Sequence, residues 1–361
     1  MRPVVYNGTM ATPIPYVRDL DVVYGRVDQV SPLIRRVVAE NPSKFTYLGS
    51  GTYLIGRGEV AVIDPGPALD AHVDAILAAL EPGERITHLV ITHTHTDHSP
   101  ATALLQPKTD AVSYGFGPHG AVPEDDPTDH IVFGDPEADG DPEKKAKPEK
   151  KANTDAAKAA GGDGDGDGDG VETKPTEELR EGADTAFVPD VALVDGAEIA
   201  GPGWRLRAVH TPGHTSNHLC YQLVEERALF SGDHVMGWST SVIGPPDGNM
   251  RQFMASMELL LDRDDERFWP THGPAITDPK GLVRAYLAHR RERTEQLIGV
   301  LRDGPATLAE IVPKLYVDVH KGLWRAAAAS MYAHLLQLIE EGRVRSQDGT
   351  LRRSARYELT A

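Results

Sequence analysis

Cysteine is nearly absent. Cys220 is the one cysteine in 361 residues, so no intramolecular disulfide can staple the fold. Long apolar runs are also missing, and nothing approaches the roughly 18 residues that read as a membrane span. The first residues, Met1-Arg2-Pro3-Val4-Val5-Tyr6-Asn7, lack the apolar core of a secretory leader. These absences exclude a membrane partner from the expectations and point to a reducing, cytoplasmic compartment. With 40% hydrophobic residues the chain has enough apolar material for one large core or two smaller ones.

A net charge of −17 argues against an anionic partner only until it is located. Residues 124–184 carry 20 acidic and 8 basic side chains, a net of −12, which leaves −5 for the rest. From Lys280 to Ala361 there are 14 basic and 9 acidic residues, a net of +5. The acidity is therefore local, and the overall charge decides little about partners.

The chemistry is concentrated in Thr92-His93-Thr94-His95-Thr96-Asp97-His98. This run follows the apolar segment Leu89-Val90-Ile91, which reads as a strand delivering the cluster to a sheet edge. Alternation places His93 and His95 on one face. The turn after them can direct Asp97 and His98 toward a second point. Neutral imidazole and carboxylate are ligands for zinc, iron and manganese. Packing does not explain four such groups within six residues.

More candidate ligands follow at long range. His214 lies in Thr211-Pro212-Gly213-His214, Asp233 in Ser231-Gly232-Asp233-His234, and His272 in Pro270-Thr271-His272-Gly273. Each comes where an apolar strand stops and a glycine-containing turn begins, which lets the backbone bend around a shared pocket. The full set resembles the metallo-β-lactamase superfamily, whose motif is HxHxDH followed by distant His, Asp and His.

That resemblance implies an α/β fold, an αββα sandwich with metals at one edge. It implies that His93, His95 and His214 hold one divalent ion and Asp97, His98 and His272 a second. Asp233 would bridge them. Two ions about 3.5–4 Å apart can share a hydroxide and clamp attacking and leaving oxygens. Asp97 and Asp233 are then catalytic as well as ligating, and Zn2+ is the default for both ions. Asp64, in Ile63-Asp64-Pro65-Gly66, matches the family's acidic turn and is expected to orient ligands or water. The alternative is an ordinary turn aspartate at a strand end. His72 reads as a helix-surface residue and His88 as structural. His119 and His130 flank a polar loop, and His210, His218 and His234 neighbour the ligands without being assigned as such. His289, His320 and His334 read as helix-surface or core residues. Cys220 reads as a buried small hydrophobe.

Three regions organise the chain. Residues 1–278 form the expected catalytic domain. Within it, 124–182 reads as an acidic, low-complexity insertion whose few apolar side chains cannot offset the entropy of ordering. Its Gly-Asp repeat, Gly162 to Gly170, lacks the spaced ligands and terminal glutamate of a calcium loop. Residues 279–361 read as helices followed by a hairpin around Asp348-Gly349, a winged-helix-like domain. Such a domain suits nucleic acid, or serves as a packing or homodimerisation module.

The Ser-Gly-Asp context of Asp233 and the missing leader fit antibiotic hydrolysis poorly. Together with Thr211–His218, the stretches Thr271-His272-Gly273-Pro274, His289-Arg290-Arg291-Glu292-Arg293 and Ala333–Gly342 resemble the β-lactamase-like protein 2 family. That family includes an endoribonuclease acting on single-stranded RNA. The resemblance implies a dinuclear hydrolase cutting single-stranded RNA, and from their charge alone Arg290, Arg291 or Arg325 would hold flanking phosphates. The alternatives are a glyoxalase-II-like hydrolase of a small-molecule thioester, and a non-catalytic nucleic-acid-binding regulator.

Overall fold

Residues 5–6, 9–10, 13–120, 131, 182–317 and 319–360 are described by the computed structural model. The acidic insertion expected over 124–182 lies outside the described residues apart from Ile131 and Gly182, and so does His130.

A short ribbon, β1 (Val5–Tyr6) with β2 (Thr9–Met10), precedes two larger sheets. The first runs, in spatial order, through β3 (Asp28–Gln29), β4 (Ile34–Val38), β5 (Gly51–Ile55), β6 (Glu59–Ile63), β7 (Arg85–Val90), β8 (Val112–Gly115) and β9 (Val191–Ala192). Its strands are antiparallel through β6 and parallel from β6 to β9. The second contains β10 (Glu198–Gly201), β11 (Trp204–His210), β12 (Leu219–Leu223), β13 (Ala228–Gly232) and β14 (Arg267–Pro270).

Strand alternation builds three layers of core. Tyr53, Ile55, Ala61 and Ile63 face Leu206, Tyr221, Phe230 and Trp269 between the sheets. On the outer side of the first sheet, Leu54, Val60 and Val62 meet Val73, Ile76 and Leu105 of α1 (Asp70–Ala78) and α2 (Thr102–Thr109). On the outer side of the second, Val209, Cys220 and Leu229 meet Phe253, Met257, Val283 and Tyr286. These come from α3 (Met250–Asp262) and α4 (Pro279–Arg302). The architecture is an αββα sandwich, and Cys220 is a buried apolar residue within it.

Helix ends follow local chemistry. The side chain of Asn249 accepts from Gln252 N at 3.0 Å, and that of Asp278 from Gly281 N at 3.0 Å, starting α3 and α4. α2 begins at Thr102, although Ser99-Pro100 has the composition of a helix start. Ser99 instead donates its hydroxyl to Asp184 at 2.7 Å.

Behind the sandwich lie α5 (Leu308–Leu315) and α6 (Trp324–Glu340). A three-stranded sheet accompanies them, ordered β15 (Ala306–Thr307), β17 (Arg356–Leu359), β16 (Val344–Ser346). The expected hairpin is β16–β17, and the sequence reading missed the third strand, β15. Thr307 and Glu310 make a capping box for α5. This region packs directly on the sandwich, with Ala333 inside the α3–α4 core. Among the described residues no helix is long and apolar enough to cross a membrane.

His72 corrects the reading from helical spacing. It is 3% exposed, not on a helix surface, because α1 is short and rolls this face onto the Gly66 turn. Its Nε2 donates to Thr52 Oγ1 at 2.8 Å, which in turn donates to the Asp64 carbonyl at 2.7 Å. Burial pushes the imidazole down to about 4.

The neutral form is therefore the folded form. Its contribution is fully present above the unfolded value near 6.5 and is lost as pH falls toward 4. Between pH 7 and 4.5 this one site should remove about 2–3 kcal/mol of stability. Urea midpoints at the two pH values test this. The wild type should lose more than His72→Gln by about that amount, and equal losses would refute the assignment.

Candidate metal centre

Strand ends bring the candidate residues together at one edge of the sandwich. β7 ends at Val90 and β13 at Gly232, and the segments beyond them carry His93, His95, Asp97, His98 and Asp233. The turn after β11 carries His214, and the turn after β14 carries His272. Two of these turns depend on glycine. A Cβ on Gly213 (φ 139°) would lie 2.3 Å from the Phe253 backbone, and one on Gly232 (φ 50°) 2.6 Å from His218.

Seven residues converge here, each 8% exposed or less apart from Asp97, whose side chain is 17% exposed. His93 Nε2 lies 3.0 Å and His214 Nε2 3.2 Å from His95 Nδ1. His272 Nε2 lies 3.1 Å from Asp97 Oδ2 and 3.4 Å from Asp233 Oδ2, while His98 Nε2 is 3.6 Å from each of those oxygens. Three groups of ligand atoms, each within 4.8 Å, can be drawn: His93–His95–His214, His93–His98–Asp233 and Asp97–His98–His272.

Hydrogen bonds on the far side of the rings fix their tautomers. His214 Nδ1 donates to Val242 O at 2.7 Å and His272 Nδ1 to Gly49 O at 3.3 Å, since a carbonyl only accepts. His98 Nδ1 donates to Asp64 Oδ2 at 2.8 Å. Thr92 Oγ1 donates to Asp64 Oδ2 at 2.8 Å and so accepts from His93 Nδ1 at 3.0 Å. The inward Nε2 of each ring is left with a lone pair.

Asp64 is the common anchor. Its carboxylate accepts from Thr92 N, Thr92 Oγ1, His98 Nδ1 and Thr271 Oγ1, all at 2.8 Å. It thereby ties the segments carrying His93, His98 and His272 without itself facing the cluster. The residue sits at φ 48°, a left-handed conformation that points its side chain back under the ligands.

The electrostatics call for cations. Burial lowers His93, His95 and His214, keeping them neutral and ligand-competent. It would also lower His98 and His272, but the carboxylates of Asp97 and Asp233 outweigh it. His98 is raised well above its ordinary value and His272 to about 10. Burial alone would raise both carboxylates, yet these imidazolium charges hold Asp97 and Asp233 well below the usual range. Protons on two imidazoles are one way to balance two buried carboxylates. Divalent ions are the other, and they fit the remaining clue: His98 Nε2 and Asp233 Oδ1 are buried with no hydrogen-bond partner.

The sequence reading left several supporting residues unassigned. His218 Nε2 accepts from Asp233 N at 3.3 Å, and its Nδ1 is held by Thr211 Oγ1 at 2.9 Å. Ser50 Oγ donates to Asp97 Oδ2 at 3.1 Å. Threonines directly preceding ligands, Thr92 and Thr271, were the available signal. Of the other histidines, His210 stacks on Phe116 and His119 bonds Thr94, while His88 packs between Tyr114 and Trp204.

An αββα sandwich with a buried His/Asp cluster at one edge defines a metal-dependent hydrolase. The chain belongs to the metallo-beta-lactamase superfamily, whose model matches residues 47–272, and a beta-lactamase associated winged helix domain matches 307–353. It is 28% identical to a beta-lactamase-like protein 2 homolog from Caenorhabditis elegans, over 88% of this chain and 87% of the relative. It is 26% identical to an atrochrysone carboxyl ACP thioesterase from Cryptosporiopsis, over 88% and 83%. Among solved structures, a metallo-beta-lactamase family protein from Thermus thermophilus has the same fold. That match has TM-score 0.64 and 23% identity, over 92% of this chain and all of the other.

Asp64→Asn keeps the size but replaces one acceptor oxygen with an amino group facing a donor. We expect metal affinity to fall about 10–100-fold and stability by about 2–4 kcal/mol. Chelator competition and thermal unfolding read the two effects. Unchanged affinity would show that Asp64 is only a turn residue.

Proposed function

We propose that His93, His95 and His214 hold one divalent ion, Asp97, His98 and His272 a second, with Asp233 shared between them. Zinc is the default, and iron or manganese suits the same donors. The observation that carries this reading is the inward convergence of ring nitrogens on two carboxylates in a buried cluster with unpartnered polar atoms. Two divalent ions held there would supply Lewis acidity and bring the pKa of water toward neutrality. Asp97, the most exposed of the seven, is the group placed to accept a proton from incoming water. Ser50, donating to Asp97 Oδ2, fixes how that carboxylate faces the cluster.

For the substrate we propose an acyl thioester: water adds to the carbonyl carbon, the C–S bond breaks, and a carboxylate and a thiol leave. One observation supports it over RNA: two of the three arginines offered for phosphates are committed elsewhere. Arg290 is 4% exposed and bonds Ser241 O, and Arg291 pairs with Glu258 at 2.7 Å. Other basic side chains of the winged helix are paired as well, Arg345 with Glu358, Arg352 with Asp348 and Arg356 with Glu310. A relative named a thioesterase matches 88% of the chain, the same share as the beta-lactamase-like protein 2 homolog, so relatedness does not separate the two readings. The unmatched 12% is shorter than residues 279–361, so the match reaches into the winged-helix region, and that region does not by itself argue for nucleic acid.

Single-stranded RNA is the second reading, favoured by the winged helix, by the relatedness to beta-lactamase-like protein 2 homologs and by Arg325, which is exposed. The test incubates metal-replete protein with S-lactoylglutathione and acyl-pantetheine thioesters, and separately with labelled single-stranded RNA. Thioester turnover should dominate and fall about a thousandfold or more in Asp97→Ala, as expected when an interaction made in the transition state is removed. RNA cleavage that needs Asp97, with the thioesters untouched, would overturn the thioester reading. Chelation should lower the melting temperature of the wild type, and added zinc or manganese should restore it.

A further inference from the structure

The helices behind the sandwich reach the metal centre through one loop, residues 236–247. Five hydrogen bonds fasten it. Tyr286 Oη donates to the carbonyls of Met236 and Ser239, and Arg290 Nη2 donates to Ser241 O. Ile243 N donates to Ser330 Oγ at 3.2 Å, and Arg353 Nη2 to Pro245 O at 2.6 Å. Tyr286 and Arg290 belong to α4, Ser330 to α6, and Arg353 precedes β17.

The same loop grips the candidate ligands from its other side. Val242 O accepts from His214 Nδ1 at 2.7 Å, and Ser241 Oγ donates to Asp233 O at 2.5 Å and His234 O at 3.0 Å. Asp247 Oδ2 accepts from Ser216 N at 3.1 Å, two residues past His214. One residue therefore bonds Arg290 through its carbonyl and the Asp233 peptide through its hydroxyl, and its neighbour fixes the ring of His214.

Arg290 is an expensive way to hold a loop. Among the described residues no carboxylate pairs with it, its Nε has no partner, and it lies over the Phe253 ring at 5.4 Å. A guanidinium removed from water without a counter-charge is a net cost unless it does something a smaller donor would not. Its reach across α3 to a carbonyl adjoining Val242 is such a task.

We propose that Tyr286, Arg290 and Ser330 are positioning residues for the metal centre, making α4 and the winged helix a splint that sets the tautomer of His214. This rests on the assignment of His214 as a ligand. It predicts an asymmetric effect, because His214 belongs to one metal group while His98 and His272 are held by Asp64 and Gly49 instead.

The test is cobalt titration of the full chain, with affinities from chelator competition and the d–d absorption band recorded per equivalent. In Arg290→Met one Co2+ equivalent should weaken about tenfold or more with an altered band, while the other stays within about twofold. Arg290→Lys, which keeps a donor, should recover most of the loss, and Ser330→Ala should reproduce it in part. Unchanged affinities, or an equal weakening of both equivalents, would overturn the splint. Should Arg290→Met fail to fold, Ser330→Ala, which removes a single hydrogen bond, decides on the same criterion. His214→Ala distinguishes a wrong ligand from an absent splint. If it leaves both equivalents intact, the ligand assignment has failed, whereas if it removes one and Arg290→Met does nothing, the splint alone has failed.

Discussion

One carboxylate organises the centre. Asp64 is not itself one of the seven candidate ligands, yet it accepts four hydrogen bonds, one from the His98 ring, from the segments that carry three of them. The segments after β7 and β14 approach from opposite sheets, so without this anchor their ends are free to splay. A buried carboxylate is costly unless its oxygens are satisfied. Here each bond that satisfies Asp64 also orients a ligand, so the same desolvation that threatens the fold enforces the geometry. The left-handed backbone at this residue is the strain that the arrangement tolerates.

Charge balance imposes the second constraint. Asp97 and Asp233 face each other's surroundings inside a region largely closed to water, and the inward ring nitrogens offer lone pairs, not protons. Such a set is self-repelling when its tautomers are as the outer hydrogen bonds dictate. Either imidazoles take up protons, as the upward shifts of His98 and His272 reflect, or multivalent cations enter. Ligand exchange between proton and metal is then built into the site, and metal affinity must depend on pH.

Much of this was legible in the sequence because strand ends and ligands coincide. An apolar run ending in a dense His/Asp segment, and glycine turns beside His214, Asp233 and His272, required only local reasoning. What could not be read was everything carried by backbone carbonyls at long range: Gly49 O on His272 and Val242 O on His214 have no side-chain signature. His72 and Arg290 were misplaced for the same reason. A helix surface and a charged stretch look solvated until the partner layer is known, and here the Gly66 turn and the 236–247 loop cover them. β15 escaped because two residues carry no alternation.

The winged helix shows why a basic composition is a poor guide to partners. Its net positive charge suggested a phosphate-binding face. In the fold, Arg345, Arg352 and Arg356 meet acids within their own domain, and Arg290 and Arg353 meet backbone carbonyls of the sandwich. Exposed pairs of this kind are weak individually, but each lowers the uncompensated positive potential that would draw in a polyanion. The cations that remain buried point inward, toward the loop behind His214. On that arrangement the C-terminal region acts on the metal centre from behind, and the substrate has to be recognised from the open side, where Asp97 is the candidate ligand that solvent reaches.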